Sequence, residues 1–298
     1  MVPPSIVGSL MTQSFESIPV LFRPEMVAEA SSYSPSAGKP PLVVVDWQSH
    51  ALPVDLRGFD PVDESTLSLA HNAGYVRGVL ACEIDNGFGN RRPDVAASLP
   101  YTSGAMLAAV REAIANRRVA CAPVSGFHHA GYANAGGFCT FNGLLVTALA
   151  LKRDGHAERV GILDLDQHWG NGTDDIIRRL STRWVQHHTS GSKNLGPKDA
   201  EPYLDRLAAL VSTFKDCAVL LYQAGADAHV DDPLGGWMTT EQLARRDRIV
   251  FSTAAKIGLP VAWNFAGGYQ TDASGGIAPV LAIHRETMRN CISVFIKA

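Results

Sequence analysis

The fourteen residues 160–173, VGILDLDQHWGNGT, constrain this chain more than any other stretch. They begin as a short apolar run with β-branched residues at Val160 and Ile162, the pattern of a strand buried on both faces in a parallel sheet. They continue through Asp164, Asp166 and His168 to Gly170 and Gly172. A strand that finishes in Asp-x-Asp-x-His carries its charge at its carboxyl end, where ligands sit in an open α/β sheet. Asp166 and His168 are two apart, so in extended chain they face one side, roughly 6.6 Å apart along the strand. A turn at Gly170 brings both onto one cation, and a carboxylate with an imidazole is a good ligand pair for zinc. A strand end with capping acids would also explain this stretch alone, so the weight falls on what the rest of the chain places beside it.

Hydrophobic periodicity and turn residues predict strands at 18–22, 119–124, 159–166, 184–188, 218–223 and 260–265. Helices are expected at 42–50, 63–71, 75–83, 102–116, 142–154, 174–180, 201–214, 239–257 and 277–288. Residues 31–41 and 85–100, rich in Gly and Pro, read as loops. Strands alternating with helices argue for an α/β fold with a mostly parallel sheet and right-handed crossovers. No linker divides the chain, so one domain is expected over residues 1–298, with 1–16 as an arm.

At 298 residues, 46% of them hydrophobic, the chain can bury a large core. A net charge of −3 gives no basic footprint, which argues against a nucleic-acid partner. No apolar run reaches the ~18 residues of a membrane span. The N-terminus lacks a basic start followed by an apolar core, so it does not read as a signal peptide. Five scattered cysteines without a C-x-x-C fit reduced, mostly buried thiols and a cytoplasmic location. A homo-oligomer stays open.

Three further strand ends carry unusual polar groups: His128-His129 after 119–124, Gly225-Ala226-Asp227 after 218–223, and Gly267-Gly268-Tyr269 after 260–265. Each has an ordinary explanation singly, as a structural histidine pair, a capping turn or a turn with a packing aromatic. Together with Asp164, Asp166 and His168 they put reactive groups on one rim. On these motifs, with Gly136-Gly137-Phe138-Cys139-Thr140-Phe141-Asn142, the chain resembles the zinc-dependent deacetylases: histone deacetylases, bacterial deacetylase-like amidohydrolases and acetylpolyamine amidohydrolases. The resemblance runs over roughly 63–288. It implies the arginase/deacetylase-like three-layer α/β/α sandwich.

The resemblance also implies roles. Asp166, His168 and Asp227 look like the ligands of a catalytic zinc ion, for which iron or manganese can substitute. His128 and His129 look like the general acid/base pair, and Tyr269 like the hydroxyl that meets the developing oxyanion. Gly137, Phe138 and Gly267 would line the substrate tunnel. Asp164 would support His128 and help hold a structural potassium ion, and Asn171 would orient His129. The substrate class is a small-molecule or peptide acyl amine. Three departures stand out: Trp169 where many relatives have a second histidine, Asn171 where some have an aspartate, and His187-His188 where Ser-Leu-His is usual. Lys39 falls near the family's internal exit channel.

Two other functions compete. A binuclear manganese ureohydrolase would need Asp-x-His-x-Asp, whereas the order here is Asp-x-Asp-x-His and Asp232 lies too far along. A non-catalytic metal-binding sensor would be favoured by loss of Tyr269, His129 or a ligand, and none is lost. The substrate stays open between acetyl-lysine, acetylpolyamines and small amides. The segment 85–100, with Asp85, Asn86, Arg91 and Arg92, is expected at the rim.

Overall fold

A computed structural model describes residues 16–296; the expected arm lies almost wholly outside them. Seven parallel strands form one sheet: β1 (Ile18–Leu21), β2 (Val54–Arg57), β3 (Val119–Cys121), β4 (Val160–Asp164), β5 (Val185–Thr189), β6 (Leu220–Gln223) and β7 (Val261–Asn264). Their order is β2-β1-β3-β7-β6-β4-β5.

Side chains alternate across the sheet with period two and both faces are covered, as parallel sheets require. Val160, Ile162, Leu221 and Ala262 turn to one core. It is closed by α4 (Pro93–Asn116), α5 (Gly143–Arg153) and α6 (Asn171–Arg179), with α2 (Glu64–Leu67) and α3 (Ala73–Leu80) outside. Leu163, Leu220, Tyr222, Val261 and Trp263 turn to the other core. That face is covered by α1 (Lys39–Ser49), α7 (Ala200–Ser212), α8 (Thr240–Lys256) and α9 (Ala278–Phe295). The result is the arginase/deacetylase-like three-layer sandwich. All five cysteines are free and four are buried. Among the described residues, no helix is long and apolar enough to cross a membrane.

Several helix starts follow from local chemistry. Side-chain oxygens of Asp63, Asn72, Asn142 and Thr239 accept from the backbone N–H three residues on, as N-caps do. Two expectations fail. The segment 85–100 is a loop only as far as Arg92, because α4 starts at Pro93 and runs through Pro100. Pro93 occupies the helix start, where its missing N–H is no loss. Burial of Val95, Ala96 and Leu99 outweighs the cost of Pro100, and the Pro100 carbonyl accepts from Val62 N–H at 3.1 Å. Strand β2 was not expected; it is a short edge strand, half exposed and without a periodic signal of its own.

Candidate active site

In the sheet, β3, β7, β6 and β4 are consecutive neighbours. The four polar strand ends therefore stand side by side along one carboxyl rim. Behind them the buried Arg246 guanidinium donates to the carbonyls of Leu165 (3.2 Å) and Gly225 (2.8 Å), tying the ends of β4 and β6 together.

Asp164 closes β4 and is fully buried. Its Oδ1 accepts from Gln223 Nε2 (2.9 Å) and Asp166 N–H (3.2 Å), and its Oδ2 from His128 Nδ1 (2.8 Å). Asp166 is equally buried; Oδ1 accepts from His168 N–H and Oδ2 from Gly267 N–H, both at 2.8 Å. Asp227 Oδ1 accepts from Gln167 N–H at 3.1 Å. Asp166, His168 and Asp227 each offer one ligand atom, all within 4.8 Å of one another.

Glycines let the backbone close tightly around this triad. A Cβ at Gly267 would come 2.2 Å from Asp227 Oδ2 and 2.9 Å from Asp166 Oδ2, so only glycine lets the backbone close over both carboxylates. A Cβ at Gly225 would come 2.6 Å from Asp166 Cα and 2.7 Å from Asp227 Oδ1. Burial, and then the neighbouring Asp166 charge, push Asp227 up to about 7. Burial works against Asp166 too, but His128 and His168 hold it below the usual carboxylate range. Hydrogen bonds to Asp166 and Asp227 raise His168 to about 11. Two buried carboxylates and an imidazole crowded this way mark the place of a positive charge. The donor set suits a divalent ion such as zinc with an open position left over.

His128 and His129 lie beside the triad, their ring centroids 4.0 Å apart. Burial disfavours the charged form of His128, but the charges of Asp164 and Asp166 outweigh it and raise His128 to about 9. His129 is lowered, by burial first and by His128 next. One histidine is thus biased toward the charged form and its neighbour toward the neutral one. His129 Nδ1–H donates to Asn171 Oδ1 at 2.7 Å, which leaves Nε2 as the acceptor. Asn171 begins α6, and that helix presses on the histidine loop: a Cβ at Gly172 would come 2.4 Å from the Ala130 carbonyl oxygen.

A small cavity opens beside this group, lined among others by Gly126, His128, Gly137, Asp166, Gly267 and Tyr269. Tyr269 is anchored by its N–H to Asp232 Oδ2 (2.8 Å). Burial, and then Asp227 and Asp166, raise its phenol far above the ordinary value, so it stays a hydroxyl donor. Phe138 stands beside it, with ring centroids 5.7 Å apart, and also meets Tyr33 (5.2 Å) and Phe88 (5.9 Å). Gly137 and Phe138 both have positive φ, 51° and 62°. A Cβ at Gly137 would come 2.4 Å from His129 Cδ2. The sequence offered no partner aromatic for Phe138; Tyr33 and Phe88 sit in irregular segments where periodicity is silent.

Lys39 is buried and its Nζ donates to the Ala266 carbonyl at 2.9 Å, next to Gly267. Burial lowers it to about 8. Trp169 is half exposed and its indole N–H donates to Asp174 at 2.7 Å. His188 Nε2 pairs with the Tyr203 hydroxyl at 3.0 Å. Asp232 supports Tyr269 and is not among the three clustered groups that could hold a metal ion.

The histone deacetylase domain family matches residues 46–194 and 197–282. An uncharacterised protein of Picosynechococcus sp. is 32% identical over 238 residues, covering 70% of this chain and 76% of that one. Acetylpolyamine amidohydrolase 1 of Pseudomonas aeruginosa is 26% identical over 185 residues, half of each chain. The solved structure of the HDA15 HD domain superposes with a TM-score of 0.75 at 19% identity, covering 94% of this chain and 90% of that one. By sequence, and with a fold to match, the chain belongs to the histone deacetylase domain family.

Proposed function

We propose that this protein hydrolyses a linear acyl amide, releasing the acyl group from an amine, with Asp166, His168 and Asp227 holding a zinc ion. The observation that carries this reading is the clustering of a two-carboxylate, one-imidazole triad beside a histidine pair, with Asp166, His128 and Tyr269 lining one small cavity. When bound, the metal would polarise the amide carbonyl and acidify the attacking water. His129, neutral and with Nε2 free, accepts the water proton. His128, its pKa raised by Asp164 and Asp166, supplies positive charge beside the reacting carbon, and the proton His129 takes from the water passes to the leaving amine. The Tyr269 hydroxyl donates to the carbonyl oxygen as negative charge develops there. Phe138 and the glycines at 137 and 267 shape a slot for an extended chain.

Relatives named histone deacetylase and acetylpolyamine amidohydrolase support an acetylated amine as substrate, such as acetyl-lysine, an acetylpolyamine or a small amide. The test is turnover of a panel of these compounds, with guanidino compounds alongside, before and after chelation and with zinc, iron or manganese restored. Acyl-amine hydrolysis lost on chelation and recovered with metal is expected. Guanidino turnover alone would favour the ureohydrolase, and metal binding without any turnover the sensor.

Two consequences follow for particular side chains. Phe138→Ala removes apolar contact without changing the demand for positive φ, so KM for linear acyl amines rises while kcat changes less. Unchanged kinetics across the panel would place Phe138 outside the substrate path. Asn171→Asp substitutes a charge for a neutral acceptor opposite His129. A carboxylate there favours the imidazolium and raises the His129 pKa. Because His129 must be neutral to take the proton, the acid limb of kcat/KM moves to higher pH and activity is lost first on the acidic side. The limb belongs to the coupled site, metal-activated water included. A limb that stays put or moves down in pH would refute the pairing.

A further inference from the structure

An aromatic wall runs from the small cavity out to the surface. Phe138 stands at its middle, half-buried, with its N–H donating to the Gly87 carbonyl at 3.0 Å. On one side its ring centroid lies 5.7 Å from that of Tyr269, which lines the cavity. On the other side Tyr33 meets it, with centroids 5.2 Å apart and ring planes at 88°. Phe88 backs the same ring at 5.9 Å. Tyr33 is not a core residue. At 73% it is the most exposed large hydrophobic side chain among the described residues.

A lone exposed aromatic is ordinary, but this one is held in place. Asn90 Nδ2 donates to the Ala30 carbonyl at 2.9 Å and Arg92 Nη1 to Ser31 Oγ at 3.0 Å. Ala28 N–H donates to the Ala37 carbonyl at 3.2 Å, which closes the segment on itself. Ser36, three residues after Tyr33, lines the cavity. The charges beside this segment are answered. Arg92 pairs with Asp94 at 3.0 Å and with Glu29 at 3.3 Å, and Arg91 pairs with Asp85 at 2.6 Å. Asp232 is buried and accepts from the N–H groups of Tyr269 and Leu234. None of these acids is left free to receive an ammonium.

We propose that Tyr33 is a specificity-determining residue: its ring receives the part of the substrate amine that emerges past Phe138, and it selects amines with an apolar or aromatic body there over amines with an ammonium. This rests on the hydrolase reading above and names a substrate class within it. With the acyl group at the triad, the amine substituent leaves along the aromatic wall, where Phe138 and then Tyr33 stand. An apolar body laid on the free surface of Tyr33 removes both from water. An ammonium there would lose hydration with only a ring to replace it, and a cation–π contact at so exposed a place gains little.

The metal-loaded full chain is assayed on acetyl amides of methylamine, hexylamine, phenylbutylamine and putrescine. Wild type is expected to show higher kcat/KM for the hexyl and phenylbutyl amides than for acetylputrescine. Tyr33→Ala raises KM for those two roughly 2–10-fold, what one aromatic contact supplies, with kcat less affected. The methyl amide, whose amine ends before Tyr33, shifts by less. Tyr33→Phe keeps KM near wild type, because the ring and not the hydroxyl makes the contact. Both variants change a largely exposed side chain, so both are expected to fold. A wild type that prefers acetylputrescine overturns the proposal. So does Tyr33→Ala with unchanged KM for the apolar amides, or with KM raised by one factor for all four, which marks a structural role. The same amides are titrated calorimetrically into metal-loaded Tyr269→Phe, with and without Tyr33→Ala. If wild type turns over no amide, the hydrolase reading fails, and these affinities still decide whether Tyr33 receives an apolar amine.

Discussion

Asp166→Ala, His168→Ala and Asp227→Ala are each expected to leave a folded protein that has lost its divalent ion and hydrolyses at background rate. The loss is of function rather than fold because of how the triad is loaded. Asp166 and Asp227 are buried side by side, and their mutual repulsion contributes to the rise of Asp227 to about 7. Removing one carboxylate relieves that repulsion, while the strands beneath stay anchored by Arg246 and by the two cores. Removing His168, a third of whose side chain is exposed, opens little of the core. The ion is another matter. On the proposed ligand set, removing one of three leaves two that cannot hold the ion against solvent, and the stabilisation that metal gives the native state disappears with it. Metal per chain by elemental analysis, with the thermal midpoint measured with and without added zinc, checks this. Full occupancy in all three variants would sink the assignment. Wild type should gain thermal stability on adding zinc, and the variants should not.

Tyr269→Phe is the second large effect. It should lower kcat by roughly 10²–10³, the usual loss for one oxyanion donor, with KM little changed. The phenol is well placed for such a split. Burial and the two nearby carboxylates raise its phenol far above the ordinary value, so it keeps its proton. The backbone bond from Tyr269 N–H to Asp232 and the ring contact with Phe138 survive the substitution, so the cavity keeps its shape. Substrate affinity depends on that shape, whereas only the developing negative charge needs the hydroxyl. Steady-state kinetics on the best substrate of the panel give both constants. Near-normal kcat would make Tyr269 a packing residue.

Much of the architecture was written locally. The apolar run ending at Asp164 declares a parallel strand because a sheet covered on both faces demands continuous apolar residues. Asp63, Asn72, Asn142 and Thr239 declare helix starts because a short polar side chain satisfies the first free N–H groups wherever the helix lies in the fold. The grouping of His128, Asp166, Asp227 and Tyr269 was legible for a related reason: in a parallel sheet all strand ends of one sense fall on one rim, whichever strands are neighbours.

Which strands are neighbours, and at what distance, only the tertiary structure decided. That β7 lies between β3 and β6 sets Gly267 N–H against Asp166 across 101 residues of chain. No periodicity encodes such a contact. Tertiary burial likewise carried α4 through Pro100 against local preference, and put Tyr33 and Phe88 around Phe138 from segments without a repeat. His187 shows the division most clearly. The sequence recorded an imidazole out of pattern, but its burial on β5 and its pairing with Asp174 appear only in the fold. Propensity and capping act within a turn or two of chain. Charge balance in a buried site acts through space, so it is settled when the strands pack.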